Sequence, residues 1–190
     1  VNKKILLAGL GALLIYKGKD LFSSNTISGE GWDNLHPEVK ARAKAVIKEA
    51  NKHFKPYGLS VGVFEGVRSI DKQQQEMRQG DSFIKDALRS YHVWGLAVDF
   101  VFIDVKGNWT WEPITNKDTA WYEYVTNYFT GDGNRQAWNE LGAIIKKQGF
   151  EWGGDWRNFD GPHAQLTTFG RSRDLIAQYG EPENLFYSWA

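Results

Sequence analysis

From His36 onward, apolar residues recur at Val39, Ala43, Val46, Ile47, Ala50 and Phe54, a spacing that gathers them on one face of a helix. Pro37 suits the first turn of that helix, where no amide donor is needed, and Pro56 with Gly58 ends it. The period then changes. Across residues 60–68, Val61, Val63 and Val67 fall on one side of an extended chain, and Phe64 and Arg68 on the other. A strand of this kind ends on a guanidinium aimed away from the valines. Residues 71–79 predict a short polar helix closed by Gly80-Asp81-Ser82. Residues 97–103 predict a second strand, in which Ala97, Asp99, Val101 and Ile103 share a face. A carboxylate there stands among apolar neighbours. Left unpaired it would be costly, so a metal ion or a basic partner is expected beside it. Trp138, Leu141, Ile144, Ile145 and Gln148 mark an amphipathic helix that stops at Gly149. Residues 150–156 and 163–168 read as short strands of the same sheet, and residues 171–190 as a short helix with an aromatic tail.

Two stretches fall outside this pattern. Residues 1–4 are a short basic start, followed by an apolar run over 5–16 and then Lys17-Gly18-Lys19-Asp20. The order resembles the first parts of a signal peptide, but no small-x-small cleavage site follows. The run is also shorter than the roughly 20 residues that cross a bilayer. An uncleaved export signal or weak membrane anchor, a helix docked on a partner protein, and a buried helix all fit. Residues 23–31 read as a linker, which divides the chain into an N-terminal segment, 1–31, and a folded domain, 32–190. The second stretch, 104–133, is irregular and carries Trp109, Trp111, Trp121, Tyr122, Tyr124, Tyr128 and Phe129. A loop region of that length is functional, disordered or locally structured.

Charge and composition narrow the chemistry. Basic and acidic residues balance at 23 each, so no general pull toward nucleic acid is expected. There is no cysteine, which leaves His, Asp and Glu as the ligands for any metal. Nine tryptophans either fill the core or line a groove for an extended or sugar-containing substrate.

Of the four histidines, His36 at a helix start and His53 near a helix end occupy ordinary positions. His92 stands seven residues before Asp99, and His163 three residues after Asp160. Two histidines, one carboxylate and one spare carboxylate match a catalytic zinc site, in which three protein ligands leave a position open for water. On a straight strand Asp160 and His163 would point to opposite faces, but Gly161-Pro162 can bend the chain between them. Asp155 admits three roles: base, hydrogen-bond partner that orients a histidine, or turn residue. Ser82 and Ser90 either touch substrate or cap turns.

The motif Ser90-x-His92-x-x-Gly95-x-Ala97-x-Asp99 lies between Gly66-Val67-Arg68-Ser69 upstream and Trp152-Gly153-Gly154-Asp155-Trp156 with Asp160-x-Pro162-His163 downstream. In this order the three motifs resemble the LAS-type zinc peptidases, a group that includes lysostaphin, the D-Ala-D-Ala metallopeptidases and the sonic hedgehog fold. The likeness is greatest to their L-alanyl-D-glutamate endopeptidases, known as phage endolysins and bacterial wall-lytic enzymes, and covers residues 33–168. It implies that His92, Asp99 and His163 bind one Zn²⁺, that Asp160 is the catalytic acid and base, and that Arg68 contacts substrate near the reacting carbonyl. Asp155 and Ser82 stand as supporting or substrate-binding residues. The expected fold is α+β, a small antiparallel sheet flanked by helices, and the expected partner is the peptidoglycan stem peptide, met in the bacterial envelope or outside the cell. A D-Ala-D-Ala carboxypeptidase is the alternative enzyme, and a zinc-holding wall-binding or virion assembly module the alternative without catalysis. Ala164 stands where the group often has an aromatic residue, and the stretch after Asp104 is longer than usual.

Overall fold

The helical spacing of residues 39–54 is realised as α1 (Pro37–Phe54), with each of those apolar side chains buried. His36 caps it, its Nδ1 accepting the Glu38 amide at 3.1 Å, an arrangement that satisfies one of the first-turn donors. The computed structural model describes residues 29–82, 84–111 and 133–189. The apolar N-terminal run and most of the Trp/Tyr-rich stretch lie outside the described residues. Among the described residues no helix is long and apolar enough to cross a membrane.

Five strands form one antiparallel sheet: β1 (Ser60–Glu65), β2 (Ala97–Ile103), β3 (Trp109–Thr110), β4 (Glu151–Trp152) and β5 (His163–Gln165). Their order is β1-β2-β5-β4, with β3 pairing the far end of β2. On the core face, Phe102 meets Phe54 of α1 edge-on at 5.1 Å. It meets Trp138 of α3 (Gly133–Lys147) at 4.8 Å. Asp99 points to the other face, where α2 (Ile70–Gln79) supplies polar side chains. The C-terminal part forms two short helices, α4 (Ser172–Tyr179) and α5 (Pro182–Phe186), where one was expected. It closes over the start of α1, with Phe169 and Trp189 against the His36 ring at 4.3 and 4.5 Å.

Three expectations change. The strand predicted over 60–68 stops at Glu65, and a β-bulge within it shifts the register between Val63 and Glu65. Val63 pairs with Phe100 and Glu65 with Asp99, so the slip moves Glu65 from the valine side to the face that carries Asp99. Residues 29–31, expected in the linker, belong to the domain. The Glu30 amide donates to the Phe64 carbonyl, and the Gly66 and Val67 amides donate to the carbonyls of Glu30 and Gly31. The strand predicted over 150–156 is cut to two residues by a 3-10 turn at Gly153–Asp155.

Candidate metal centre

Strand register assembles the site. Asp99 is aligned with Glu65 on β1 and with His163 on β5, and paired residues of adjacent strands share a face. His92 is added by the turn before β2. Gly95 makes that reversal at φ 65°, a left-handed conformation that a side chain would strain. The His92 carbonyl accepts the amides of Gly95 (3.1 Å) and Arg68 (3.2 Å), which ties the two upstream motifs together. Asp160 enters from the turn before β5, where the His163 amide donates to its carbonyl at 3.3 Å. Gly153 lies directly against this turn. A β-carbon there would stand 2.6 Å from the Asp160 carbonyl oxygen and 3.1 Å from the His163 Cβ.

Three donor atoms face one another in a nearly equilateral triangle. His92 Nε2 is 3.1 Å from His163 Nδ1, and each nitrogen is 3.2 Å from Asp99 Oδ1. Tetrahedral zinc with bonds of about 2.0–2.1 Å separates its ligands by roughly 3.3 Å, slightly more than this triangle. Proton bookkeeping tests the fit further. His92 Nδ1 is 2.7 Å from the Gly66 carbonyl, which can only accept, so the proton is on Nδ1 and Nε2 presents a lone pair. His163 Nε2 faces Gln165 Oε1 at 3.0 Å, which likewise leaves a lone pair on Nδ1. In the neutral tautomers with both protons turned outward, two lone pairs and a carboxylate oxygen converge, and a cation standing among them would satisfy all three. The donor set fits a divalent metal.

The local charges agree. Burial opposes the charged form of Asp99, but the imidazoles of His92 and His163 outweigh it and hold the carboxyl well below its ordinary range. Burial works to lower His163, but hydrogen bonding and charge from Asp99, with Asp160 behind it, raise it instead. Positive charge is drawn to this spot. Burial pushes the Asp160 carboxyl up; the imidazoles of His163 and His92 and the guanidinium of Arg68 pull the other way, while the charge on Asp99 adds to the rise. The Trp156 ring covers His163 at 5.0 Å.

Arg68 is buried, and its donors are mostly spent on the chain itself. Nε and Nη2 grip Glu65 at 3.1 and 2.6 Å, and Nη1 meets Gln73 at 2.8 Å and Glu76 at 2.5 Å. Nη2 also faces Asp99, 3.7 Å from Oδ2. Lys72 bridges Glu65 and Glu30 at 2.8 and 2.7 Å. Burial would raise Glu65, but Arg68 and then Lys72 overcome it and keep the carboxyl below its usual range. Ser82 belongs to this network: its hydroxyl accepts from Gln73 at 3.0 Å and from the Ile84 amide at 3.3 Å. Asp155, expected as a supporting or substrate-binding residue, has no hydrogen bond to a histidine among the described residues. It turns outward to Lys146 at 2.9 Å because the 3-10 turn carries it off the strand. His53 likewise pairs with Glu140 at the surface, 2.8 Å away.

Glu65, Gln73, Glu76 and Gln165 were not anticipated. Gln165 could have been found, since a residue two places after a strand ligand shares its face. Glu65 could not, because the bulge has no clear mark in the sequence. Glu65, Glu76 and Gln165 line one open cleft of about 1200 Å³ with Arg68, Asp160 and the three donors, room for an extended chain rather than a single amino acid. Arg89 and Arg157 line it too, and neither has an ion pair among the described residues.

An antiparallel sheet with a two-histidine, one-carboxylate centre and a spare carboxylate in an open cleft defines the class of mononuclear metallohydrolases. The family described as D-alanyl-D-alanine carboxypeptidase matches residues 84–166, which include all three donors and Asp160. The peptidoglycan L-alanyl-D-glutamate endopeptidase CwlK of Bacillus subtilis is 35% identical over 144 residues, 70% of this chain and 74% of that protein. The L-alanyl-D-glutamate peptidase of Listeria phage A118 is 28% identical over 153 residues, 80% of this chain and 45% of that protein. The crystal structure of the Serratia marcescens L-Ala D-Glu endopeptidase ChiX has a TM-score of 0.47 at 27% identity, covering 72% of this chain and 84% of that one. The chain belongs to the D-alanyl-D-alanine carboxypeptidase family of peptidoglycan peptidases, alongside the L-alanyl-D-glutamate endopeptidases. The family is zinc-dependent, and the His92–Asp99–His163 group is one that could hold the metal.

Proposed function

We propose that this chain hydrolyses the L-Ala–D-Glu amide of the peptidoglycan stem peptide, with His92 Nε2, Asp99 Oδ1 and His163 Nδ1 holding one zinc ion. The observation that carries this reading is the triangle of two imidazole nitrogens and a carboxylate oxygen at 3.1–3.2 Å, set in a cleft with a carboxylate to spare. Zinc, when bound, supplies a Lewis acid that makes water nucleophilic near neutral pH and polarises the scissile carbonyl.

The remaining steps fall to the chain's own side chains. Asp160 takes a proton from the attacking water and passes it to the departing amine, work that suits a carboxyl raised by burial toward the working pH. Nη2 of Arg68 is the donor we assign to the developing oxyanion. Glu65, Gln73 and Glu76 hold the guanidinium so that this donor keeps its direction. Arg89 and Arg157, which line the cleft and have no ion pair among the described residues, receive the carboxylates of the stem peptide. Trp156 shields His163 from water on one ring face. Such an enzyme works in the bacterial envelope or outside the cell, wherever its peptidoglycan is exposed.

Incubating sacculi with the protein, with and without chelator and with Asp160→Ala, tests the reading. New N-terminal D-Glu that requires both metal and Asp160 is the expected product. Released D-Ala would replace the endopeptidase by a carboxypeptidase, the activity that the matching family's description names. Zinc retained with no product would leave a wall-binding module.

A further inference from the structure

We propose that Gln165 is a positioning residue for the metal: its side-chain carbonyl holds the Nε2 proton of His163 and commits that histidine to bind through Nδ1. The proposal rests on the reading that His92, Asp99 and His163 hold zinc. The two imidazoles offer opposite nitrogens, and each is set by the acceptor on its far side. For His92 the acceptor is a main-chain atom, the Gly66 carbonyl at 2.7 Å. For His163 it is Gln165 Oε1 at 3.0 Å.

The placement follows from the strand. Gln165 is two residues beyond His163 on β5 and so lies on the same face. Its backbone is held in register against Ala97 on one side and Glu151 on the other. Its side chain is buried, and Trp156 covers the neighbouring imidazole, so water does not easily replace the amide. Removing the acceptor would strand a buried N–H and free the ring to choose its other nitrogen. An acceptor behind a ligating imidazole also makes the ligating nitrogen more basic. With the amide turned to present its NH₂ group, His163 would instead carry its proton on Nδ1, facing Asp99, and the metal would be excluded.

The first measurement uses ¹⁵N-histidine-labelled, zinc-loaded protein. His163 is expected with Nδ1 on the metal and a slowly exchanging Nε2 proton, and His92 with the reverse arrangement. A second measurement, competition with a chromophoric chelator, compares variants. Gln165→Met and Gln165→Leu should bind zinc about 10–100-fold more weakly, while Gln165→Glu should match or exceed the wild type. The cobalt-substituted absorption spectrum should shift in Gln165→Met and recover in Gln165→Glu. Circular dichroism of the metal-free variants establishes that the fold persists. His163 bound through Nε2 in the wild type would overturn the proposal. So would Gln165→Met retaining wild-type affinity and spectrum. A wild-type protein that takes up no zinc would instead overturn the metal site itself.

Discussion

On one side of Asp99 stand two imidazoles, and on the other a guanidinium with two glutamates. Around Arg68 the chain balances its own charges. Glu65 and Glu76 grip the guanidinium, and Lys72 ties Glu65 to Glu30. Among the described residues, no lysine or arginine is held against His163 in that way. The atoms that meet there are two imidazole nitrogens and a carboxylate oxygen, and the outward partners of the two rings, the Gly66 carbonyl and the Gln165 amide oxygen, are acceptors on the far side. Glu65, His92 and His163 are buried and Arg68 nearly so, where an unsatisfied group costs most. One cluster is complete with the atoms of the chain, and the other has the donor set of a divalent cation. The fold therefore keeps an intrinsic brace beside a centre proposed to hold metal, and the two should respond differently to chelation.

The largest effect is expected from breaking the half proposed to hold metal. Asp99→Ala should reduce activity to background and abolish stoichiometric zinc binding, read by metal analysis after dialysis. For the wild type, zinc at a thousandfold over its Kd adds about 4 kcal/mol to the folded state, roughly 10 °C in Tm. Chelator should remove that increment from the wild type and leave Asp99→Ala unmoved. A shift that persists in the variant would mean the metal sits elsewhere.

Asp160→Asn separates chemistry from binding within that half. It should lower kcat by about 10²–10⁴-fold with zinc content unchanged, because the carboxyl moves protons without ligating. Loss of zinc in this variant would make Asp160 a ligand and end its assignment as acid and base. Breaking the brace gives the next effect. Glu65 and Arg68 are 4% and 11% exposed, so Glu65→Ala leaves a buried guanidinium short of its partner. A cost of about 3–5 kcal/mol in denaturant unfolding is expected. The chelator-induced shift in Tm should survive in this variant, since the zinc ligands remain.

The sequence exposes these two halves unequally. α1 and β2 could be read from periodicity, and His92, Asp99 and His163 are singled out by the resemblance that their flanking motifs carry. Asp99 stood out as a carboxylate on an apolar strand, and its alignment with His163 needed only that both strands share a sheet. The brace was hidden. A one-residue bulge reverses the face of Glu65, and alternation read straight through Val61 and Val63 puts that carboxylate on the wrong side. Gln73 reads as one more polar residue on a polar helix, yet it is wholly buried between Arg68 and Ser82. Three-dimensional closure of the network, not any local preference, makes it a core residue. Asp155 misled for the opposite reason. It is close in sequence to the motif histidine but leaves the strand before reaching it.

Asp155→Ala, the smallest expected effect, turns that last contrast into a measurement. Its partner Lys146 is 46% exposed and Asp155 itself 54%, so the pair is solvated and worth about 0.2–1 kcal/mol at most. Zinc affinity and kcat should stay at wild-type values. If Asp155 oriented a ligating histidine, its loss would weaken zinc binding by about 10–100-fold, the range expected for Gln165→Met. The two variants therefore compete for one role in one chelator titration. A wild-type result for Asp155→Ala beside a weakened Gln165→Met would assign the support of His163 to its neighbour on the strand. The reverse result would mean that the turn at Gly153–Asp155 folds inward in the metal-bound protein, and that the brace and the metal centre are joined on that side as well.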